Sequence, residues 1–227
     1  MDRLPRRPHA RARRVTRYSR AVEASTLEER RLVDALRAGD ESAFMQLVQE
    51  YSPGMLRVAR MFVSSRAVAE DVVQDAWVGV LNGIDRFEGR SSLKTWIYRI
   101  LTNTAKTRAV REGRSIPFSA LAGEDEEGAV DADRFLGDDS RFPGHWAAPP
   151  QRWEPERRLL SAEALAVIER EIEKLPPNQA IVVTMRDVEG FDAEDVRNAL
   201  DISETNQRVL LHRARSKVRR ALEEYLA

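Results

Sequence analysis

The sequence predicts an all-α protein of two small helical domains joined by a long acidic linker, the C-terminal domain being a helix-turn-helix. Three observations carry this. Apolar residues recur at i, i+3, i+4 and i+7 over much of residues 27–111 and again after Pro155, the period of a helix with one buried face. No segment sustains the two-residue alternation of a half-buried strand. Over residues 113–155 the period is lost to Gly, Pro, Asp and Glu, and a structureless run of about forty residues does not fit inside one compact domain. The 227 residues suit two small domains on the usual allowance of roughly 100–200 residues each.

Residues 1–26 read as a disordered basic arm. The first twenty hold eight arginines against Asp2 alone, with no apolar stretch of the kind a signal peptide or membrane anchor needs. The first helical domain spans 27–112. Phe44, Leu47, Val48 and Tyr51 form one stripe, and Met55, Val58, Ala59 and Phe62 repeat it after Pro53-Gly54, which should kink or divide the helix. Val73, Ala76, Trp77, Val80, Leu81 and Ile84 draw another stripe, and Leu93, Trp96, Ile97, Ile100 and Leu101 a third. Stripes this wide need cover, so three or four helices must share a core.

Residues 113–155 form the linker, with nine acids against four arginines; Phe142, Trp146 and Trp153 suggest that it docks on some surface. The second domain spans 156–227. Leu165, Ile168, Ile172 and Leu175 make its first stripe, closed by Pro176-Pro177, and Ile181, Val182, Met185 and Val188 its second, closed by Gly190. Two helices follow, about 193–200 and 204–226, with Asp192 and Ser203 at their N-cap positions. Leu211, Ala214, Val218, Leu222 and Tyr225 are expected to pack the last helix against its neighbours.

Composition removes several classes of function. There is no cysteine, hence no disulfide framework and no thiolate metal site, and His9, His145 and His212 lie too far apart in sequence to suggest a histidine site. No apolar run approaches the ~18 residues of a membrane span. No P-loop, dinucleotide fingerprint, H-E-x-x-H or nucleophile elbow is present, so the chain is not expected to be an enzyme or to need a cofactor. The net charge of zero hides segregation: from Ser203 to Ala221 six Lys/Arg face Glu204 alone. Separated charge of this kind makes a docking surface.

Two stretches point to nucleic acid. A short helix, the turn Leu200-Asp201-Ile202-Ser203 and a basic helix make a helix-turn-helix, whose second member enters the major groove. Its packing residues leave Arg208, Val209, His212, Arg213 and Arg215 on other faces, where arginine can read guanine edges or pair with phosphate. Earlier, Lys94, Trp96, Tyr98, Arg99, Asn103, Lys106 and Arg108 interleave base with aromatics and an amide, a composition suited to stacked, unpaired bases. One helix before it, Asp71, Gln74 and Asp75 make a polar face suited to solvent or to a basic partner.

In order and spacing these segments resemble the extracytoplasmic-function (group 4) bacterial sigma factors, initiation subunits of RNA polymerase. The resemblance covers about Leu27–Glu112 and Pro155–Leu226. It implies that Asp71, Gln74, Asp75 and Trp77, in the run Glu70-Asp71-Val72-Val73-Gln74-Asp75-Ala76-Trp77, bind the clamp helices of the largest subunit of core RNA polymerase. It implies that Ser91, Lys94, Trp96, Arg99, Asn103 and Lys106, in and after the run Phe87–Ile100, hold the single-stranded −10 element, Asn103 at a flipped-base pocket. Asn206, Arg208, Val209, His212, Arg213 and Arg215 would read the duplex −35 element. The β flap of the polymerase and an anti-sigma factor are the further partners the family suggests, and the cytoplasm is the implied location. Two departures stand out: Asp201 replaces the usual turn glycine, a position Asp tolerates, and Thr205-Asn206-Gln207 puts an amide where the family buries an apolar group. A helix-turn-helix regulator acting without core polymerase, and an adaptor with no DNA contact, are the competing readings.

Overall fold

The computed structural model describes residues 27–114, 116–118 and 162–226. The arm 1–26 and the linker aromatics Phe142, Trp146 and Trp153 lie outside the described residues. Among the described residues every regular element is helical. Helix α1 covers 27–37, α2 Glu41–Ala59, α3 Arg66–Gly83 and α4 Leu93–Arg111, with a 3₁₀ turn Ile84–Arg86 between the last two. The C-terminal body comprises α5 Ala162–Lys174, α6 Pro177–Val183, α7 Ala193–Leu200 and α8 Glu204–Leu226. None of the described helices is long and apolar enough to cross a membrane.

Short polar residues start these helices by taking backbone N–H groups that have no partner one turn back. Asp40 accepts from the Ser42 and Ala43 amides at 2.9 and 3.1 Å, and Ser65 from Val68 at 3.3 Å. Ser92 accepts from Thr95 at 3.1 Å, and Ser203 from Asn206 at 3.2 Å. Asp192 stands at the N-cap of α7 as expected, but its side chain makes no capping bond. Asp201 ends α7 in the left-handed conformation (φ 58°, ψ 56°), its amide bonded to Arg197 O at 2.8 Å, so the turn keeps its geometry without glycine.

Several expectations are corrected. Helix α2 runs unbroken through Pro53, because the packed faces on either side of it hold one axis; Leu47, Met55, Val58 and Ala59 all reach the same core. In α5 the buried face is Ala164, Val167 and Ile172, and Leu165 is half exposed. In α8 Ala214 is buried and Leu211 and Val218 pack against the core as expected, and Gln207, Leu210 and Ser216 are buried as well, while Tyr225 is exposed and donates to Glu163 at 2.9 Å. Val188 also leaves its stripe. A π-helical turn over Thr184–Val188, with Glu189 N bonded to Thr184 O at 2.8 Å, adds a residue to that turn and rotates everything after it.

The largest difference concerns the two bodies themselves. They were expected to hang on a tether, yet one apolar core runs through both. Leu47, Phe62, Val72, Ile97 and Leu101 join Ile181, Met185, Phe191, Val196 and Leu200 in a single buried cluster. A smaller core is built from Ile172, Leu175, Ala180, Val183 and Ala214 of the C-terminal body, with Met61 of the first body packed against it. Helix α4 causes the fusion, being buried on two sides. Leu93, Ile97 and Leu101 face α2 and α3, while Lys94, Tyr98, Thr102 and Lys106 bond to the second body. Residues 116–118, placed in the linker by sequence, also belong to the packed part: Phe118 lies against Phe62 at 6.3 Å, and Asn178 donates to Pro117 O at 2.9 Å.

Candidate nucleic-acid interface

Helix α3 shows one exposed face on which Asp71, Gln74, Asp75 and Val78 fall at i, i+3, i+4 and i+7. Asp71 lies 3.6 Å from the Arg108 guanidinium of α4. Val78 and Leu81, apolar yet at least half exposed, extend the same face. Trp77, grouped with these residues by sequence, is turned off it. It is 7% exposed, its indole N–H donates to Ser52 Oγ at 3.1 Å, and its ring meets the edge of Phe44. Position 77 falls where α3 meets α2, so packing takes it.

Between the 86–91 turn and α4 opens a cleft of about 660 Å³. Ser91, Trp96, Arg99 and Asn103 line it, as do Arg86 and Arg90, which sequence reasoning passed over, and Asn198 from α7. Trp96 is half-buried rather than core, set against Phe87 at 5.1 Å and close over Gly83. Positions 96, 99 and 103 share one side of the helix, which is why they converge. The signal for the extra arginines was their place either side of Phe87-Glu88-Gly89; nothing in the sequence pointed to Asn198.

Lys94 and Lys106 are not part of this cleft. With Tyr98 and Thr102 they form an i, i+4, i+8, i+12 row on the other side of α4. Lys94 Nζ donates to Glu189 O at 2.7 Å and sits 4.4 Å above the Phe191 ring. Lys106 Nζ donates to Leu200 O at 2.6 Å, and Thr102 Oγ1 to Ala199 O at 2.7 Å. Burial holds the Lys106 ammonium below its usual pKa against the opposing pull of Asp201. Tyr98, nearly inaccessible, donates to the Glu189 carboxylate at 3.3 Å; burial first, then that carboxylate, push its phenol far above the usual range.

On α8, Asn206, Arg208, Val209, His212 and Arg213 follow one another along the N-terminal half, half-buried or exposed. Burial first, then the Arg213 charge, hold His212 below its ordinary value, so it offers a neutral ring at pH 7. Arg215 is committed elsewhere: it forms a two-pronged pair with Asp187 at 2.7 and 2.8 Å. Gln207 is buried, with its Nε2 lacking any partner among the described residues.

Comparison with known proteins matches both bodies of the chain. Sigma-70 region 2 matches residues 47–115, which hold the α3 face and the cleft, and Sigma-70 region 4 matches 165–218, which hold the helix-turn-helix. The RNA polymerase sigma-H factor of Pseudomonas aeruginosa is 31% identical over 88% of this chain and 96% of its own length. The ECF RNA polymerase sigma-E factor of Escherichia coli K12 is 31% identical over 85% of this chain and 93% of its own. The chain belongs to the extracytoplasmic-function sigma factors. It serves transcription initiation as an alternative sigma factor, which removes the readings as a polymerase-independent regulator or an adaptor. The fold of this sigma factor is shared with CnrH, solved in complex with the cytosolic domain of CnrY (TM-score 0.52, 20% identical, 86% of this chain and 97% of that one). It is shared also with RpoE of Bartonella quintana, solved with the anti-sigma factor NepR (TM-score 0.51, 21% identical, 79% and 96%).

Proposed function

We propose that this sigma factor divides initiation among three surfaces. The exposed α3 face, with Asp71 and Asp75 supplying charge, Gln74 an amide and Val78 and Leu81 apolar contact, docks on the clamp helices of core RNA polymerase. The α4 cleft takes unstacked bases of the nontemplate −10 strand. Helix α8 reads duplex −35 DNA through Arg208, Arg213 and their neighbours, with the C-terminal body also meeting the β flap. The two domains are 27–112 and 156–227, joined by 113–155 and preceded by a basic arm. An anti-sigma factor is a further partner to be sought, and the site of action is the cytoplasm, where the polymerase works.

What supports this reading is the cleft. It offers the Trp96 plane and the Asn103 amide beside Arg86, Arg90 and Arg99, which is what an extruded base and its phosphates require. Unstacking a step costs a few kcal/mol, and one base stacked on an aromatic recovers about 1–3 kcal/mol. Two captured bases with phosphate contacts therefore open a short stretch on binding energy alone, with no chemical step or cofactor from this subunit. Asn103 is exposed, so Asn103→Ala should fold normally and bind core polymerase as before. It should lower permanganate reactivity of −10 thymines in the open complex about tenfold, a loss of roughly 1.4 kcal/mol. Undiminished reactivity would remove the pocket assignment.

A further inference from the structure

The side of α4 that carries Lys94, Tyr98, Thr102 and Lys106 is an interaction surface, and its occupant is the chain's own C-terminal body. Three of the bonds across it are of one kind. A helix leaves its last carbonyls without intrahelical partners, at the negative end of its dipole. Ala199 O and Leu200 O are such carbonyls of α7, and Glu189 O closes the π turn that follows α6. The donors from α4 that fill them are Thr102, Lys106 and Lys94. Two lysines of a nucleic-acid-binding helix thus spend their charge on helix-end carbonyls, oxygens that stand where phosphate oxygens would otherwise come.

Glu189 fastens this contact. Its carboxylate takes the Tyr98 hydroxyl and an ion pair from Arg57 of α2 at 3.0 Å, and it is mostly buried while doing so. The seat is cut to fit: at Gly54 any Cβ would collide with the Glu189 carboxylate and the Tyr98 hydroxyl. Asn198, one residue before these carbonyls, reaches the wall of the cleft itself.

We propose that the free sigma factor rests in this closed form, latched by Glu189, with the ends of α6 and α7 withholding Lys94 and Lys106 from single-stranded DNA. The DNA half of that statement rests on the assignment of α4 to the −10 strand; the closure does not. Opening swings the C-terminal body away, frees both lysines and widens the cleft. The apparent affinity of the free protein for a strand is then its intrinsic affinity scaled by the small open fraction.

The chain has no cysteine, so dyes on Gln46→Cys and Glu194→Cys, both at exposed positions, report the separation of the bodies by energy transfer. The full-length protein should give a single high-transfer population. Glu189→Ala should shift it to low transfer and raise affinity for a labelled single-stranded oligothymidylate about tenfold or more. Glu189→Gln keeps the Tyr98 contact without the ion pair and should fall between; circular dichroism of both variants checks that the helices persist. Low transfer in the parent chain, or high transfer unmoved by Glu189→Ala, overturns the closure. Opening without a gain in oligothymidylate binding supports the closure and overturns the withholding, while the cleft itself stands or falls by Asn103→Ala.

Discussion

Single residues decide how closely α2, α4 and the π turn approach one another. Gly54 sits mid-helix, where glycine costs about 1 kcal/mol relative to alanine, so an isolated α2 would gain from Gly54→Ala. Its surroundings reverse the sign. The added methyl meets the hydroxyl of Tyr98, a residue 1% exposed that cannot swing aside, and the carboxylate that Tyr98 and Arg57 both hold. Gly54→Ala should therefore lower the urea midpoint, the lost latch outweighing the helix gain by about 1 kcal/mol or more. A raised midpoint would mean that Glu189 does not sit against α2 in solution. Arg215 shows the same principle in reverse: its pair with Asp187 gives a residue expected to read DNA a structural partner, and raises its pKa further.

At the scale of elements most of the structure was legible. The stripes over 44–62, 73–84 and 93–101 place α2, α3 and α4, because a 3.6-residue apolar period has one cheap solution in water. Two features were not. Pro53 reads as a break because local chemistry says so, but long-range packing on both sides of it overrode the local cost. The π turn at 184–188 has no sequence signature, and it alone moves Val188 outward and carries Glu189 to its place, so the latch could not be read from periodicity. Caps separate in a testable way. Ser203 bonds the Asn206 amide, whereas Asp192 bonds nothing as a cap. By urea unfolding, Ser203→Ala should cost about 1 kcal/mol, and Asp192→Ala only the weaker loss of a charge near a helix N-terminus, roughly 0.5 kcal/mol or less. Equal costs would contradict the capping geometry.

For the molecule as a whole, the composition of the two bodies matters less than how they share apolar surface. Linker composition suggests independence, and nothing in the pattern of α4 announces a second buried side, since Tyr98, Thr102 and Lys106 read as the polar flank of an ordinary amphipathic helix. Closure gives that flank a use and makes the stability of the C-terminal body conditional. Undocked, it keeps the small core around Ile172, Leu175 and Val183, while Ile181, Met185, Phe191 and Val196 lose their partners across the interface. Buried surface scales with stability at about 25 cal/mol per Å², so the detached body becomes the weaker unit. The closed protein should then unfold as one cooperative transition, with calorimetric and van't Hoff enthalpies in agreement. In Glu189→Ala the transition should split, hydrogen exchange in 162–226 speeding at least tenfold while α2 and α3 keep their protection. Two transitions already present in the parent protein, at the temperatures seen in the variant, would mean that the bodies fold independently and that the shared core contributes nothing to either.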